Sequence, residues 1–131
     1  MIKRIFFTLS VLLLSTVIAS AADNKTIQFE ETTYDFGTVK SDNGPVKHEY
    51  EFVNTGDVPL TILSASASCG CTRPKYTPEP VKPGKKGKIT VNFLPTGQRG
   101  YISKDIKVRY KSAGSKTRNI TLKITGNVVP E

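Results

Sequence analysis

The chain has 131 residues, with 19 Lys and Arg against 11 Asp and Glu for a formal net charge of +8, and it holds two Cys, one His, one Met and no Trp. That length leaves room for one domain and excludes a TIM barrel or a two-domain enzyme, while two cysteines exclude a disulfide-dense miniprotein. A hydrophobic fraction of 37% is low for a globular chain but too high for a disordered one, and a single imidazole removes chemistry that needs paired histidines.

Residues 1–21 read MIKRIFFTLSVLLLSTVIASA. Lys3 and Arg4 precede an apolar run over 5–18, and Ala19-Ser20-Ala21 is a small-x-small cleavage site. This is the layout of a secretory signal peptide. The run is shorter than the roughly 20 residues a helix needs to cross a bilayer. The expectation is a cleaved signal at 1–21 and a single domain at 22–131 with no transmembrane anchor. The protein would be exported to the periplasm, the cell envelope or the extracellular space. Ala22 offers no cysteine for lipid attachment. The remaining chain carries +6 and is polarised: 22–72 has a net charge of −5 and 73–131 of +11. Such a distribution serves solubility, or long-range attraction to an anionic surface.

Beyond the signal, period-2 alternation recurs and helical periodicity does not. Ile27 and Phe29 alternate, then Tyr34 and Phe36, then Val46, His48, Tyr50 and Phe52. Leu60 and Ile62 follow, then Ile89, Val91 and Phe93, then Ile106, Val108 and Tyr110, and finally Ile120, Leu122 and Ile124. Gly, Pro, Asn and Asp cluster between these runs, at 41–45, 54–59, 78–87, 95–100 and 111–116. About seven strands at this spacing predict an all-β, immunoglobulin-like antiparallel β-sandwich.

Several stretches are also familiar as a set. They are Phe36-Gly37-Thr38-Val39, Glu51-Phe52-Val53-Asn54-Thr55-Gly56-Asp57 with Val58-Pro59-Leu60, Ser68-Cys69-Gly70-Cys71-Thr72, Pro83-Gly84 leading to Gly87-Lys88-Ile89, and Ile124-Thr125-Gly126-Asn127-Val128. Together they resemble an exported bacterial family known only as a domain of unknown function. That family is similar to immunoglobulin-like domains of the ASH/HYDIN and major-sperm-protein type. The resemblance covers about residues 29–128. It implies the sandwich fold and a bacterial envelope setting, Gram-negative by inference, and it brings no activity with it. Asn54-Thr55-Gly56-Asp57 and Pro83-Gly84 are also good turn chemistry in their own right.

Cys69-Gly70-Cys71 is the one chemical signal, and three states are open to it. An extended chain places Cα atoms at i and i+2 about 6.6 Å apart, near the upper limit for a disulfide, so a local bridge is feasible if Gly70 lets the backbone bend. Two thiolates on one face also suit Cu(I) or part of a Zn site. The third state is a pair of small, half-buried residues without chemistry. Arg73 and Lys75 lie close enough to lower a thiol pKa. His48 shares the parity of Val46, Tyr50 and Phe52. If 46–54 and 60–67 form a regular hairpin, it lies level with about residue 63, roughly 20 Å from Cys69, and is a core or rim residue rather than a ligand.

No Gly-x-Ser-x-Gly elbow, His-Glu-x-x-His motif or phosphate-binding glycine loop is present. Lys82, Lys85, Lys86 and Lys88 form a basic cluster without interleaved aromatics, which reads as a solvated turn and not as a nucleic-acid site. The sequence-level expectation is a non-enzymatic binding or structural module that meets another envelope protein and has no resident cofactor. Its functional end would be a long, proline-rich loop over 68–82 bearing Arg73, Lys75 and Tyr76. The alternative is thiol-redox or copper/zinc handling through Cys69 and Cys71.

Overall fold

A computed structural model describes residues 26–130, so the segment expected to be a signal peptide lies outside the described residues. Eight strands follow one another: β1 (Ile27–Phe29), β2 (Thr33–Lys40), β3 (Val46–Asn54), β4 (Leu60–Ala67), β5 (Thr72–Tyr76), β6 (Lys86–Phe93), β7 (Gly100–Ser112) and β8 (Arg118–Val129). They form two four-stranded sheets, ordered β1-β3-β6-β5 and β2-β8-β7-β4. The immunoglobulin-like sandwich expected from alternation is the architecture found.

Alternation builds the core directly. Tyr50, Phe52, Ile89, Val91 and Phe93 project from the first sheet, and Leu60, Ile62, Ile106, Val108, Leu122 and Ile124 from the second, all at most 3% exposed. Their strand neighbours, such as Lys107 and Arg109, face water. Burying one face of each sheet against the other is what fixes the register, because a one-residue slip would invert every side chain. Tyr50 adds a polar tie across the core: its hydroxyl donates to the carbonyl of Lys123 on β8 at 2.6 Å. Gly87 is needed for space, since a Cβ there would come 2.3 Å from the ring of Phe52.

Three details depart from the sequence reading. The stretch expected as a loop over 68–82 contains a strand, β5, so Arg73, Lys75 and Tyr76 sit on a strand and the count is eight instead of seven. Pro74 hid it, because a proline inside a run argues against a strand. The hydrogen bonds from Leu94 N to Cys71 O and from Thr77 N to Lys88 O set the phase of the β5–β6 ladder. In that phase the odd residues of β5 bond to β6, and Pro74 takes an outward position where its missing N–H costs nothing. Second, β2 runs parallel to β8, which makes the second sheet mixed, with a bulge between Asp35 and Thr38. Third, β3 and β4 are not a hairpin. β3 pairs with β6 and β4 with β7, so His48 lies opposite Val91. Pro74 also pairs with Val91, which puts His48 roughly 14 Å from Cys71 by strand spacing and rise. His48 bonds Glu31 through Nε2 at 2.5 Å and stacks on Tyr34 with ring centroids 3.6 Å apart.

Asn54, fully buried at the end of β3, holds five hydrogen bonds. Its N–H donates to Lys85 O at 3.0 Å and its carbonyl accepts from Gly84 N at 2.8 Å. Its Nδ2 donates to Val58 O at 2.8 Å and Val81 O at 2.9 Å, and its Oδ1 accepts from Gly56 N at 2.9 Å. Truncation removes three side-chain hydrogen bonds, leaving the Val81 carbonyl with Leu60 N alone and the Val58 carbonyl and Gly56 amide without this partner. Asn54→Ala is therefore expected to lower stability by about 2–4 kcal/mol, read as a lower urea midpoint with an unchanged m-value.

Burial pushes the Tyr50 phenol far above the ordinary tyrosine range, and the nearby Glu31 charge adds to the shift. A raised folded-state pKa means that this stabilisation is complete below the unfolded value of about 10 and is lost as pH climbs above it. In an absorbance titration Tyr50 is expected to stay protonated until the sandwich unfolds, and Tyr50→Phe should diminish the late step.

Candidate functional site

β4 ends in the second sheet at Ala67 and β5 begins in the first at Thr72, so residues 68–71 carry the chain from one sheet to the other. Cys69 and Cys71 make this corner. Their sulfurs lie at bonding distance, 2.04 Å, with Cα atoms 5.2 Å apart, shorter than an extended chain would give. Cys71 N donates to Cys69 Sγ at 3.2 Å, Thr72 N donates to Cys69 O at 3.2 Å, and Leu94 N donates to Cys71 O at 2.7 Å. The bend therefore rests on backbone bonds as well as on sulfur. Gly70 has no left-handed φ, and no atom stands within 4 Å of where its Cβ would be. The compaction needs no glycine there on steric grounds.

On β5, Thr72 is buried and Pro74 half-buried, while Arg73 and Lys75 are exposed on the outer face of the first sheet. Beside them lies a groove of about 300 Å³ lined by Pro45, Cys71, Arg73, Lys75, Asn92 and Leu94. Leu94 is 39% exposed, unusual for a leucine next to the core residue Phe93. The groove thus joins an apolar floor, the Cys71 half of the sulfur pair and two cations, with no carboxylate in its lining. Arg73 and Lys75 meet there as the sequence grouped them. Tyr76 does not: its hydroxyl donates to Leu63 O at 3.2 Å, which ties β5 sideways to β4. Pro45, Asn92 and Leu94 escaped sequence reasoning because only the β3–β6–β5 register brings them to β5.

The free edge of β5 is a poor template for an added strand. Of its outward backbone amides, that of Thr72 is taken by Cys69 O and Pro74 has none. Recognition here falls to side chains on the face. Among the described residues, no group of three or more His, Cys, Asp and Glu could hold a metal ion. No helix among them is long and apolar enough to cross a membrane.

This sandwich, with its Cys-Gly-Cys corner, defines an immunoglobulin-like β-sandwich domain. Residues 27–128 match the family described as a protein of unknown function, DUF1573, and the chain belongs to that family. No curated protein matches it. Among solved structures, the ASH/PapD-like domain 7 of human CEP192 superposes with a TM-score of 0.63 at 14% identity, over 81% of this chain and 87% of that one. The periplasmic chaperone SfaE gives 0.59 at 9% identity, over 78% and 56%. The Vibrio cholerae VesB protease gives 0.64 at 14% identity, over 79% of this chain but only 32% of the protease. At these identities the likeness is one of fold.

A three-residue loop gains little from closure, about 1.6 kcal/mol on the chain-entropy account. The double variant Cys69→Ser, Cys71→Ser is therefore expected to stay folded and cooperative, and to lose no more than about that amount in urea unfolding. Addition of reductant to the unaltered protein should shift its midpoint by a similarly small amount.

Proposed function

We propose that the protein is an exported, non-enzymatic binding module of the Gram-negative cell envelope that holds a partner protein in the groove beside β5. The groove carries this reading: two cations without a carboxylate stand over an apolar floor on a rigid sheet. That arrangement suits an apolar side chain flanked by an acidic group. The signal-like N-terminus supports export, and the fold shared with a periplasmic chaperone is in keeping with an envelope setting. Partner recognition through the face agrees with the blunted β5 edge.

The same groove supports a second reading, because Cys71 lines it. A partner thiolate could attack one sulfur of the pair, forming a mixed disulfide and releasing the other as a thiolate. A second partner thiol would then resolve it, leaving the partner oxidised and Cys69 and Cys71 reduced. The reduced pair would offer two thiolates to Cu(I) or Zn. Intact mass of the exported protein with and without alkylation separates the states. Bonded sulfurs leave both cysteines unalkylated.

A photo-crosslinking residue at Asn92 or Leu94, introduced in cells, is expected to trap an adduct of defined mass. The same group at Gln28, on the far strand of that sheet, should trap none. Arg73→Glu with Lys75→Glu should abolish the adduct. Equal trapping at Gln28, or an adduct indifferent to the charge reversal, rules out the groove.

A further inference from the structure

The basic second half of the chain feeds both sheets, and on the second sheet its cations line up along one strand. Residues 100–130 contain seven basic residues and one acidic one, and β4 contains no charged residue at all. β4, β7 and β8 are neighbours in the second sheet. On β7 the outward positions include Lys107, Arg109 and Lys111, all exposed. Alternate residues of a strand stand about 6.8 Å apart, so these three form a straight cationic column. The register sets polar neighbours on both sides: Ser66 and Thr121 flank Lys107, Ser64 and Asn119 flank Arg109, and Thr61 lies beside Lys111. None of the three cations has an ion-pair partner among the described residues. The one carboxylate on β7, Asp105, faces Lys123 at 3.8 Å. The hairpin tip adds Lys116 and Arg118, both exposed.

The opposite face of the sandwich is different. There Lys47, Arg73, Lys75, Lys86 and Lys88 are interleaved with Glu49 and Glu51, and Glu49 pairs with Lys88 at 3.6 Å. Solubility alone would be served by mixed charges on both faces. Three like charges in a row on one strand add mutual repulsion to the fold and make no contact that the core requires.

Two exposed apolar side chains accompany the column. Leu63, 41% exposed, shares a shallow depression with Lys111, and Tyr101, 73% exposed, stands on the same side of β7 as Lys107. Cations spread over a flat sheet, with an aliphatic and an aromatic side chain beside them, match a surface of distributed negative charge over an apolar interior. A small anionic ligand would need converging donors, which this face lacks. An acidic polypeptide would match the charges but leave the exposed Leu63 and Tyr101 unexplained.

We propose that the outer face of β4, β7 and β8 docks on an anionic lipid bilayer, with Lys107, Arg109 and Lys111 as its electrostatic contacts. The docked protein turns its β5 groove away from the membrane. This inference does not depend on the groove having an occupant. The test uses the processed chain beginning at Ala22, because the apolar signal segment would bind any bilayer. Co-sedimentation is measured with phosphatidylcholine vesicles, with and without phosphatidylglycerol. Binding is expected only with phosphatidylglycerol and should weaken as ionic strength rises. Replacing Lys107, Arg109 and Lys111 by Thr should reduce affinity by about fivefold per cation, or roughly a hundredfold in all. Replacing Lys82, Lys85 and Lys86 by Thr removes the same net charge from the turn into β6 and that strand's first residue, away from the β7 column, and should leave most of the binding. Thermal melts confirm that both triples fold. Equal losses in the two triples would overturn the proposal in favour of net charge alone. Absence of vesicle binding, or equal binding to phosphatidylcholine, overturns it as well. So does a chain that ignores vesicles but binds polyglutamate, which would make the face a site for acidic polypeptide.

Discussion

The fold turns on one fully buried amide. Asn54 sits where the end of β3, the turn into β4 and the connection into β6 converge, and it spends its whole hydrogen-bonding capacity on them. In a low-dielectric interior an unmet amide or carbonyl is costly, so five satisfied bonds fix three segments against each other in a single arrangement. Just beyond, the amide and carbonyl of Leu60 exchange hydrogen bonds with those of Val81, at 2.9 and 2.7 Å. That pair starts β4 under the connection to β6 and directs it into the second sheet. No alternative residue offers two donors and one acceptor on so short a stem, since Asp lacks the donors and Gln would carry them one methylene too far.

With β4 committed to the second sheet and β6 to the first, residues 68–71 have to change sheets. The Cys69–Cys71 corner is the consequence, and its position follows from strand pairing and not from sulfur chemistry. Cys71 O accepts from Leu94 N, which lies at the end of the same β6 strand that carries Phe93 into the core. The corner is thus anchored to the core through the backbone. A bridge closing so few residues adds little to that anchorage, which leaves the sulfurs free of a structural duty, with Cys71 lining an apolar groove.

Strong alternation made seven strands legible, because burial of one face dictates the pattern wherever a strand is long. β5 was not legible, since Pro74 reads as a breaker unless the edge position of the strand is already known. The parallel pairing of β2 with β8 was invisible for a similar reason: periodicity reports faces and says nothing of partners. The same blindness affected His48. Its parity correctly put it on the core-facing side, but its level in the sheet depended on β6, a strand forty residues away in sequence. At the candidate site, Arg73 and Lys75 were recognisable from their nearness to the cysteines, whereas Leu94 and Pro45 join them only through the register of three strands. Charge was the reverse case. The net excess in the second half was plain, and only the strand order shows that it feeds both sheets, with one cationic column along β7.

The two proposed surfaces lie on opposite sheets, about 10 Å of packed core apart. A protein held flat by one sheet would leave the other facing away from the membrane, so lipid and protein partners need not compete. Such an arrangement asks the sandwich to be stiff, and the inter-sheet ties supply this. Tyr50 bonds across from β3 to β8, Tyr76 reaches from β5 to β4, and every buried side-chain polar atom among the described residues has a partner. A rigid two-faced plate also gives a role to the unpaired cations of β7, which stand apart from the interleaved charges of the other sheet. Mixed charge on both faces would give solubility without orientation. An unpaired cationic column along β7 steers that sheet toward an anionic surface before contact, because the field acts over a Debye length of about 8 Å while apolar contact acts only on touching.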